Sequence, residues 1–541
     1  MFAGCDKGAE EDGGQEIFLS ASPAWIGFDP ADENGNTITV KSNSDWTAAA
    51  DEGLTIDKTS GGAGEHSVKI TSMEDDGTLA VTFTTTKKNA NGRTVSRTVN
   101  VTYEGVGGGP GPTDPESYWY KQADIATMEL LNRFWPPMFS RVTAKSDVAD
   151  NWHFAQRHDN KADPTSNYWQ QAHGMDVVVD AYNRTPSDAE YASQKALWLS
   201  VYDRWFQGVP KKQWMGGTNW SASKWTTAYP GVKTGNAGGW RNEYIDDMEW
   251  MALTHIRMYE SLNADEPALA AKYLACAKEI YDDYVWGWAW DAAGKGLYWR
   301  MDVNDSGVRQ TLSKNACSNG PGMVLAAKLA YHAANSDDRA KYLSQAKEIY
   351  DWMMSRLWKD TGAIADKWAD NAATGGALNY NQATFAGGCH WLYKLTGEQK
   401  YLENAIKAID HTINNQQLDA SDGTRLLHSH CIGDPDNGNN SVFRGVFLRY
   451  FVPLINEPAV DNISFGKRTG WTHNLKTWAE YVWTEGKSID KGSEGAPGMM
   501  LFSYDWRVMH PAANIVSPGV HLGNQISGAC LVEAMNLIET D

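Results

Sequence analysis

The chain is predicted to be multidomain: a small all-β sandwich followed by a large all-α region whose paired helices close into a ring. Three observations carry this. Its 541 residues exceed what one hydrophobic core organises. Apolar residues alternate with a period of two from about residue 17 to 104, then recur every three or four positions from residue 117 onward. Finally, one helical pattern repeats after 69 and then 59 residues.

Residues 1–16 read as a tether without regular structure. They hold Phe2-Ala-Gly-Cys5 and an acidic run, Asp6 and Glu10-Glu11-Asp12. A cysteine after small residues resembles the end of a bacterial lipoprotein signal, and the acidic run resembles an export tag to the outer cell surface. Lipidation of Cys5 is therefore expected; the alternative is an irregular terminus with an incidental cysteine. No apolar stretch precedes Cys5, so the sequence is expected to begin after the start of its leader.

Residues 17–104 contain strand-like runs at Thr37–Ser42, His66–Thr71, Leu79–Thr86 and Thr94–Thr102, separated by Gly, Asn and Asp clusters. Residues 105–116, Gly-Val-Gly-Gly-Gly-Pro-Gly-Pro-Thr-Asp-Pro-Glu, support neither helix nor strand and form a linker. Residues 117–541 then carry helical periodicity at 123–134, 171–182, 191–205, 242–260, 272–285, 322–334, 341–357, 382–395 and 402–415. The repeated pattern is Tyr273-Leu-Ala-Cys-Ala277-Lys-Glu-Ile280, Tyr342-Leu-Ser-Gln-Ala346-Lys-Glu-Ile349 and Tyr401-Leu-Glu-Asn-Ala405-Ile-Lys-Ala-Ile409. At roughly 60–80 residues per helical hairpin the region holds about six hairpins, enough to close a ring. Irregular unit lengths favour closure over an open solenoid.

A net charge of −19 argues against a nucleic-acid partner, which needs clustered Lys and Arg. No run of 18 apolar residues is present to span a bilayer as a helix. Tryptophan is abundant, at 25 residues beside 23 Tyr. Aromatic faces stack on the C–H faces of sugar rings, although any single Trp serves equally well in a helical core. Cys5, Cys276, Cys317, Cys389, Cys431 and Cys530 form no CxxC pair, which argues against a zinc ribbon or a thioredoxin motif.

The chemistry centres on Asp246 and Asp247, within Trp240-Arg-Asn-Glu-Tyr-Ile-Asp-Asp-Met-Glu-Trp250. At ~5 Å and an effective dielectric near 20, two such carboxylates repel by about 3 kcal/mol, or roughly two pKa units. One proton therefore stays on the pair, leaving one carboxylate to attack and one acid to protonate a leaving oxygen. Adjacent helical residues diverge by about 100°. The two converge if a helix starts there, and Asn236-Ala-Gly-Gly239 just upstream supports a start near Asn242. Free N–H groups of the first turn then lower the pKa of the carboxylate they reach. The plain alternative is two aspartates that only complement the helix dipole.

Other polar-aromatic segments sit at helix mouths: Asn167-Tyr-Trp-Gln-Gln-Ala-His173, Gly296-Leu-Tyr-Trp299-Arg300, Asn315-Ala-Cys-Ser-Asn319-Gly-Pro321 and Asn379-Tyr-Asn-Gln382. Pro321 marks a helix start. The candidate cleft wall is Trp169, His173, Trp299, Asn315, Asn319, Tyr380, Asn381, Gln382 and Arg444, with Arg444 equally placed to pair a buried acid. His428-Ser-His430-Cys431 lacks the partner spacing of a zinc site. Asp434-Pro-Asp-Asn-Gly438-Asn-Asn440 has its glycine one place early for a calcium loop and no closing Glu. No metal is assigned.

Residues 117–541 resemble glycoside hydrolase family 76, the bacterial endo-α-1,6-mannanases. The resemblance rests on Tyr168-Trp-Gln-Gln-Ala-His173, Tyr244-Ile-Asp-Asp-Met-Glu-Trp250, Lys314-Asn-Ala-Cys-Ser-Asn319, Asn379-Tyr-Asn-Gln382, Phe443-Arg-Gly-Val-Phe-Leu-Arg-Tyr450 and Gln525-Ile-Ser-Gly528, in family order. It implies an (α/α)6 barrel that hydrolyses internal α-1,6 bonds of a mannan backbone with retention and without a cofactor. Asp246 is then the nucleophile and Asp247 the general acid/base. The N-terminal unit resembles a BACON domain through Ser42-Asn-Ser-Asp-Trp46-Thr and Ile56-Asp-Lys-Thr-Ser-Gly-Gly62. A spacer is favoured over a glycan binder, because Trp25 and Trp46 both fit a core. The expected protein is a monomeric lipoprotein on the outer membrane, with α-mannan as its partner. The rivals are an idle glycan-binding lipoprotein, a transglycosylase using the same intermediate, and metal-dependent DDxx(D/E) chemistry; Trp250 stands where that motif needs an acid.

Overall fold

In the computed structural model, the described residues are 17–138, 152–157, 168–211, 239–431, 438–483, 489–490, 501–508 and 520–538, apart from short stretches at 23–24, 29–35, 74–76, 89–93, 104–114, 116, 303 and 305–307. Cys5, nearly all of the 105–116 linker, residues 236–238 and residues 434–437 lie outside them. Two compact units form: Met1–Val106 with Lys394–Glu398, and Gly107–Tyr393 with Gln399–Asp541.

Among its described residues the first unit has nine strands: β1 (Leu19–Ser22), β2 (Trp25–Gly27), β3 (Thr37–Ser42), β4 (Trp46–Ala50), β5 (Leu54–Ile56), β6 (Ser60–Gly61), β7 (Gly64–Met73), β8 (Gly77–Lys88) and β9 (Thr94–Tyr103). They make a four-stranded sheet, β1-β3-β7-β5, and a five-stranded sheet, β2-β9-β8-β4-β6. All pairings are antiparallel except β2 with β9. Alternation decides which face is inward: Ile38, Val40, Val68 and Ile70 of one sheet share a core with Val81, Phe83, Val99 and Val101 of the other. All four predicted strands lie within β3, β7, β8 and β9. Trp46 is fully buried, edge-on to Phe83 at 5.5 Å. It needs Gly61 opposite, since a Cβ there would overlap the indole.

Among its described residues the second unit has twelve longer helices: α1 (Tyr118–Phe134), α2 (Tyr168–Arg184), α3 (Ala192–Gly208), α4 (Ile245–Leu262), α5 (Pro267–Glu279, continued by a π-helical segment Ile280–Ala289), α6 (Ala316–Tyr331), α7 (Ser336–Arg356), α8 (Asn379–Thr396), α9 (Gln399–Asn415), α10 (Phe443–Ile455), α11 (Lys467–Trp483) and α12 (Leu522–Ile538). Odd and even helices differ in kind. The odd ones bury a single stripe, as amphipathic helices do. The even ones are buried on nearly every side. The repeated Tyr-Leu pattern belongs to the odd series: Tyr273, Tyr342 and Tyr401, with Ala277, Ala346, Ala405, Ile280, Ile349 and Ile409, are all buried.

Even helices contact one another in succession. α2 packs on α4, α4 on α6, α10 on α12 and α12 on α2. Glycines let the remaining neighbours approach: a Cβ on Gly320 (α6) would stand 3.0 Å from Thr384 Cβ (α8), and one on Gly387 (α8) 3.0 Å from Tyr450 Cγ (α10). The odd helices back them, α1 on α12, α3 on α2, α5 on α4, α7 on α6 and α11 on α10. The α9 backbone at Ala408 accepts from Gln382 of α8. One expectation is corrected. Pro321 lies inside α6, not at its start. The helix begins at Ala316, where a two-residue strand ends, and Pro321 has no N–H to offer the Cys317 carbonyl four residues back.

Candidate active site

The site is assembled from the first turns of the even helices. Trp169, Asp246, Cys317 and Tyr380 are each the second residue of α2, α4, α6 and α8. The start of α4 is tied down by an extended segment. The Ile245 N–H donates to the Trp299 carbonyl at 3.0 Å and the Met301 N–H to the Glu243 carbonyl at 2.7 Å. Tyr244 N–H bonds Asn242 Oδ1, and its ring lies 5.2 Å from Trp299. The orphan donors that a helix N-terminus leaves thus recruit the Trp299 loop.

Asp246 and Asp247 are ringed by protein yet partly exposed, as groups on a cleft wall are. Their surroundings differ. Burial pushes Asp246 up to about 6, against opposing hydrogen bonds from the Cys317 thiol, the N–H groups of Asp246 and Asp247, and the Trp299 indole. Among the described residues Asp247 has no such donors. Burial, then the charges of Asp246 and Glu243, hold it well above the usual carboxylate range. Glu243 is itself paired to Arg300 at 3.0 Å. Between the two titrations one carboxylate is ionised and its neighbour protonated.

Aromatic rings line the neighbouring helices. Trp169 lies 5.3 Å from His173, 6.5 Å from Trp250 and 6.2 Å from Phe443, and Tyr380 stacks on Phe443 at 4.0 Å. Trp169 is held by its indole N–H to Asn439 Oδ1 at 3.0 Å. Asn439 follows residues 434–437, which lie outside the described residues. Asn315 Oδ1 and Asn381 Oδ1 are buried without a hydrogen-bond partner among the described residues, so both retain acceptors. Asn381 donates to Asp366 at 3.2 Å.

Three predicted wall residues point elsewhere. Asn319 accepts from the Leu297 N–H and donates to the Leu297 and Asn315 carbonyls. Gln382 accepts from the Ile364 N–H and donates to the Gly362 carbonyl. Arg444 is fully buried, donates to the Ser503 and Tyr504 carbonyls and lies 4.0 Å from the Trp506 ring. These side chains fix loops, because buried polar groups seek the nearest backbone partners. His173 lies against the rings of Trp169 and Trp250, at 5.3 and 4.9 Å, and 3.6 Å from Asp176, which pairs with Arg257 and Arg449. Burial lowers its pKa.

Sequence reading missed Cys317, Glu243, Glu249 and Asp366 as parts of the site. Glu249 is completely buried, and both its oxygens lack a partner among the described residues. Its spacing from Asp246, one helical turn, was the available signal. Asp366 lies in a loop with no motif around it. Burial raises its pKa, and its backbone carbonyl accepts the Ala316 N–H. None of the five described cysteines is in a disulfide. Among the described residues no three His, Cys, Asp or Glu side chains converge as a metal set, and no helix is long and apolar enough to cross a membrane.

Comparison with known proteins places this site in context. The mannan endo-1,6-alpha-mannosidase DCW1 of Candida albicans is 28% identical over 157 residues, 27% of this chain and 32% of the relative. The chain thus spans about a third of the length of that curated relative. Two solved structures share the fold. One is an inactive variant of the alpha-1,6-mannanase GH76A of Salegentibacter sp., with two adjacent aspartates replaced by alanine, in complex with alpha-1,6-mannotetrose. It has a TM-score of 0.54 at 23% identity, covering 78% of this chain and 99% of that one. The other is a family 76 glycoside hydrolase from a bovine Bacteroides thetaiotaomicron strain, with a TM-score of 0.53 at 16% identity, covering 97% of this chain and all of that one. The sequence profile of glycosyl hydrolase family 76 matches residues 140–464, more than half of the chain, which therefore belongs to that family.

Proposed function

We propose that this glycoside hydrolase cuts internal α-1,6-mannosidic bonds in mannan backbones with retention of configuration. One observation carries the reading: two adjacent carboxylates, Asp246 and Asp247, share the first turn of α4, and burial raises the pKa of both, Asp247 further under the charges of Asp246 and Glu243. Family membership supports a glycosidase. The named activity of the Candida relative, and the mannotetrose bound to a double-aspartate variant of the Salegentibacter enzyme, support the linkage and the pair. The succession of even helices, returning from α12 to α2, supports an (α/α)6 barrel.

In this mechanism Asp246 attacks the anomeric carbon as the C1–O bond breaks, and Asp247 gives its proton to the departing oxygen. The glycosyl ester on Asp246 is then opened by water, which loses a proton to Asp247. Two inversions leave the α-anomer. No cofactor takes part. The donors on Asp246 keep it anionic before attack; the acceptors on Asn315 and Asn381 suit sugar hydroxyls.

The test is digestion of linear α-1,6-mannan, with products sized over time and their anomers followed by NMR. Mixed oligosaccharides and initial α-product are expected. Initial β-product would refute retention, and products longer than the substrate would indicate transfer instead of hydrolysis. Asp246→Asn and Asp247→Asn should each lower turnover by about 10³-fold or more. Near-normal hydrolysis by both would remove the pair from the mechanism.

Two further readings belong to the same proposal. The N-terminal unit acts as a BACON-like spacer, since Trp46 is consumed by its core and offers no platform for a sugar. Cys5 carries a lipid that holds the enzyme at the outer cell surface; intact-mass measurement of membrane-extracted protein would show the acyl groups or exclude them.

A further inference from the structure

Helix α7 carries a groove of its own. Glu348, Asp351, Trp352, Ser355 and Arg356 recur every three or four positions and so share one helical face. With Gly294 and Lys295 of a facing turn they line a groove of about 360 Å³. Ligand sites begin at about 300 Å³. At a rise of 1.5 Å per residue, the face runs roughly 12 Å from Glu348 to Arg356.

The facing wall is held from below. Lys314 is buried, and its ammonium donates to Asp291 at 2.7 Å and to the Lys295 carbonyl. Trp352, 4% exposed, forms the floor. Gly296 has a φ of +80°, and a Cβ there would overlap the Trp352 indole, so only glycine lets the turn rest on that ring. Lys295 reaches Glu348 at 2.7 Å.

A small sheet separates this groove from the catalytic cleft. β10 (Lys314–Asn315) pairs with β11 (Lys367–Ala369), Lys314 opposite Trp368 and Asn315 opposite Lys367. Opposite residues share a face and successive ones alternate. Trp368 therefore lies on the face of Lys314 and the groove, and Asn315 on the reverse. The half-buried Trp368 ring is 4.9 Å from the Arg356 guanidinium, at the end of the groove.

We propose that this groove is a second binding site for a neutral polyhydroxylated chain, the mannan itself, outside the catalytic cleft. The proposal rests on the reading of mannan as substrate. Charge decides the ligand class. The groove sets two cations, Lys295 and Arg356, against two anions, Glu348 and Asp351, so a polyanion or a cation meets its own sign. Lys295 and Glu348 satisfy each other, whereas Asp351 and Arg356 are exposed and have no ion-pair partner among the described residues. A sugar hydroxyl accepts from a guanidinium and donates to a carboxylate, and an indole covers its ring C–H groups. A chain held there stays close to the cleft, which raises its effective concentration at the catalytic pair.

The experiment compares the full-length wild type with an Asp351→Ala/Arg356→Ala double variant and with Trp368→Ala. The first pair of side chains is exposed, so an unchanged Tm is expected. KM on linear α-1,6-mannan should rise about three- to tenfold in the double variant at constant kcat, while kcat/KM on α-1,6-mannotetraose stays within about twofold. In the Asp246→Asn background, a native gel containing the mannan should retard the parent more than the variant. A gel containing polygalacturonate should retard neither.

Unchanged KM on the polymer and equal retardation would overturn the proposal. So would equal losses on polymer and tetraose, the signature of a disturbed cleft, or retardation by polygalacturonate instead of mannan. If the wild type does not cut mannan, the substrate reading has failed. If it does and the double variant matches it on the polymer, only the groove is lost.

Discussion

Glu243 offers the sharpest test of how the aspartate pair divides its work. It is buried, its carboxylate pairs with Arg300 at 3.0 Å, and its charge is one of the forces holding Asp247 protonated. At a separation on the order of 6 Å, a unit charge in an effective dielectric near 20 is worth about 3 kcal/mol. The half-screened Arg300 cancels part of this, leaving on the order of 1.4 kcal/mol, or about one pH unit. Glu243→Gln removes the anion and leaves the guanidinium uncompensated, and both changes favour ionised Asp247. The basic limb of kcat/KM should therefore move to lower pH by about one unit or somewhat more. Arg300→Met should move it the other way. The acid limb should move less in both, because burial and hydrogen bonds, not the charge of Glu243, are the leading influences on Asp246. The assay is initial-rate hydrolysis of linear α-1,6-mannan across pH. A basic limb unmoved in both variants, or an acid limb that moves instead, would refute the division of roles.

The remaining predictions concern stability and the two units. Asp247 has a raised pKa in the folded protein, so the stability it lends is full below about 4 and is lost as pH rises through its folded value. Asp247→Asn should accordingly flatten the fall in Tm above that pH; parallel Tm–pH curves would contradict the burial argument. Arg449 forms ion pairs with Asp176 at 3.3 Å and Asp180 at 3.2 Å, so Arg449→Leu leaves two largely buried acids sharing Arg257. Denaturant titration should show a loss of about 3–5 kcal/mol. Asp176 is held well below the usual carboxylate range by Arg449 and Arg257, against its burial. Its contribution is present above about pH 4 and disappears on acidification, so the variant should lose its extra acid sensitivity. Trp46→Ala should cost the β unit about 3–5 kcal/mol, seen as an earlier unfolding step, while kcat on soluble manno-oligosaccharides stays at wild type. A matching fall in kcat would assign that unit more than a spacer role.

Much of the architecture was legible because it leaves a period in the sequence. The β strands alternate because one face meets the core and the other meets water, so Ile38, Val40, Val68 and Ile70 announce their own direction. The odd helices do the same with a period near 3.6, and their shared Tyr-Leu pattern exposed the repeat. The all-buried α10 and α12 have no polar face to mark a period, and they went unread as helices except through their motifs. Asp246 and Asp247 were legible as a doublet at a helix start, which free N–H groups make chemically useful wherever it occurs.

The partners of that doublet were decided only by tertiary structure. Cys317, Tyr380 and Asp246 lie on three helices far apart in the chain, and glycines such as Gly320, which faces Thr384, let α6 and α8 close in. Asn319 and Gln382 looked like sugar ligands by residue type, yet both turn to backbone groups that folding left unpaired beside them. Local sequence fixes periodicity and helix starts, since those depend on neighbours a few residues away. Which acid is ionised and which keeps its proton depends on burial and on charges brought from elsewhere, and only the packed helices supply those.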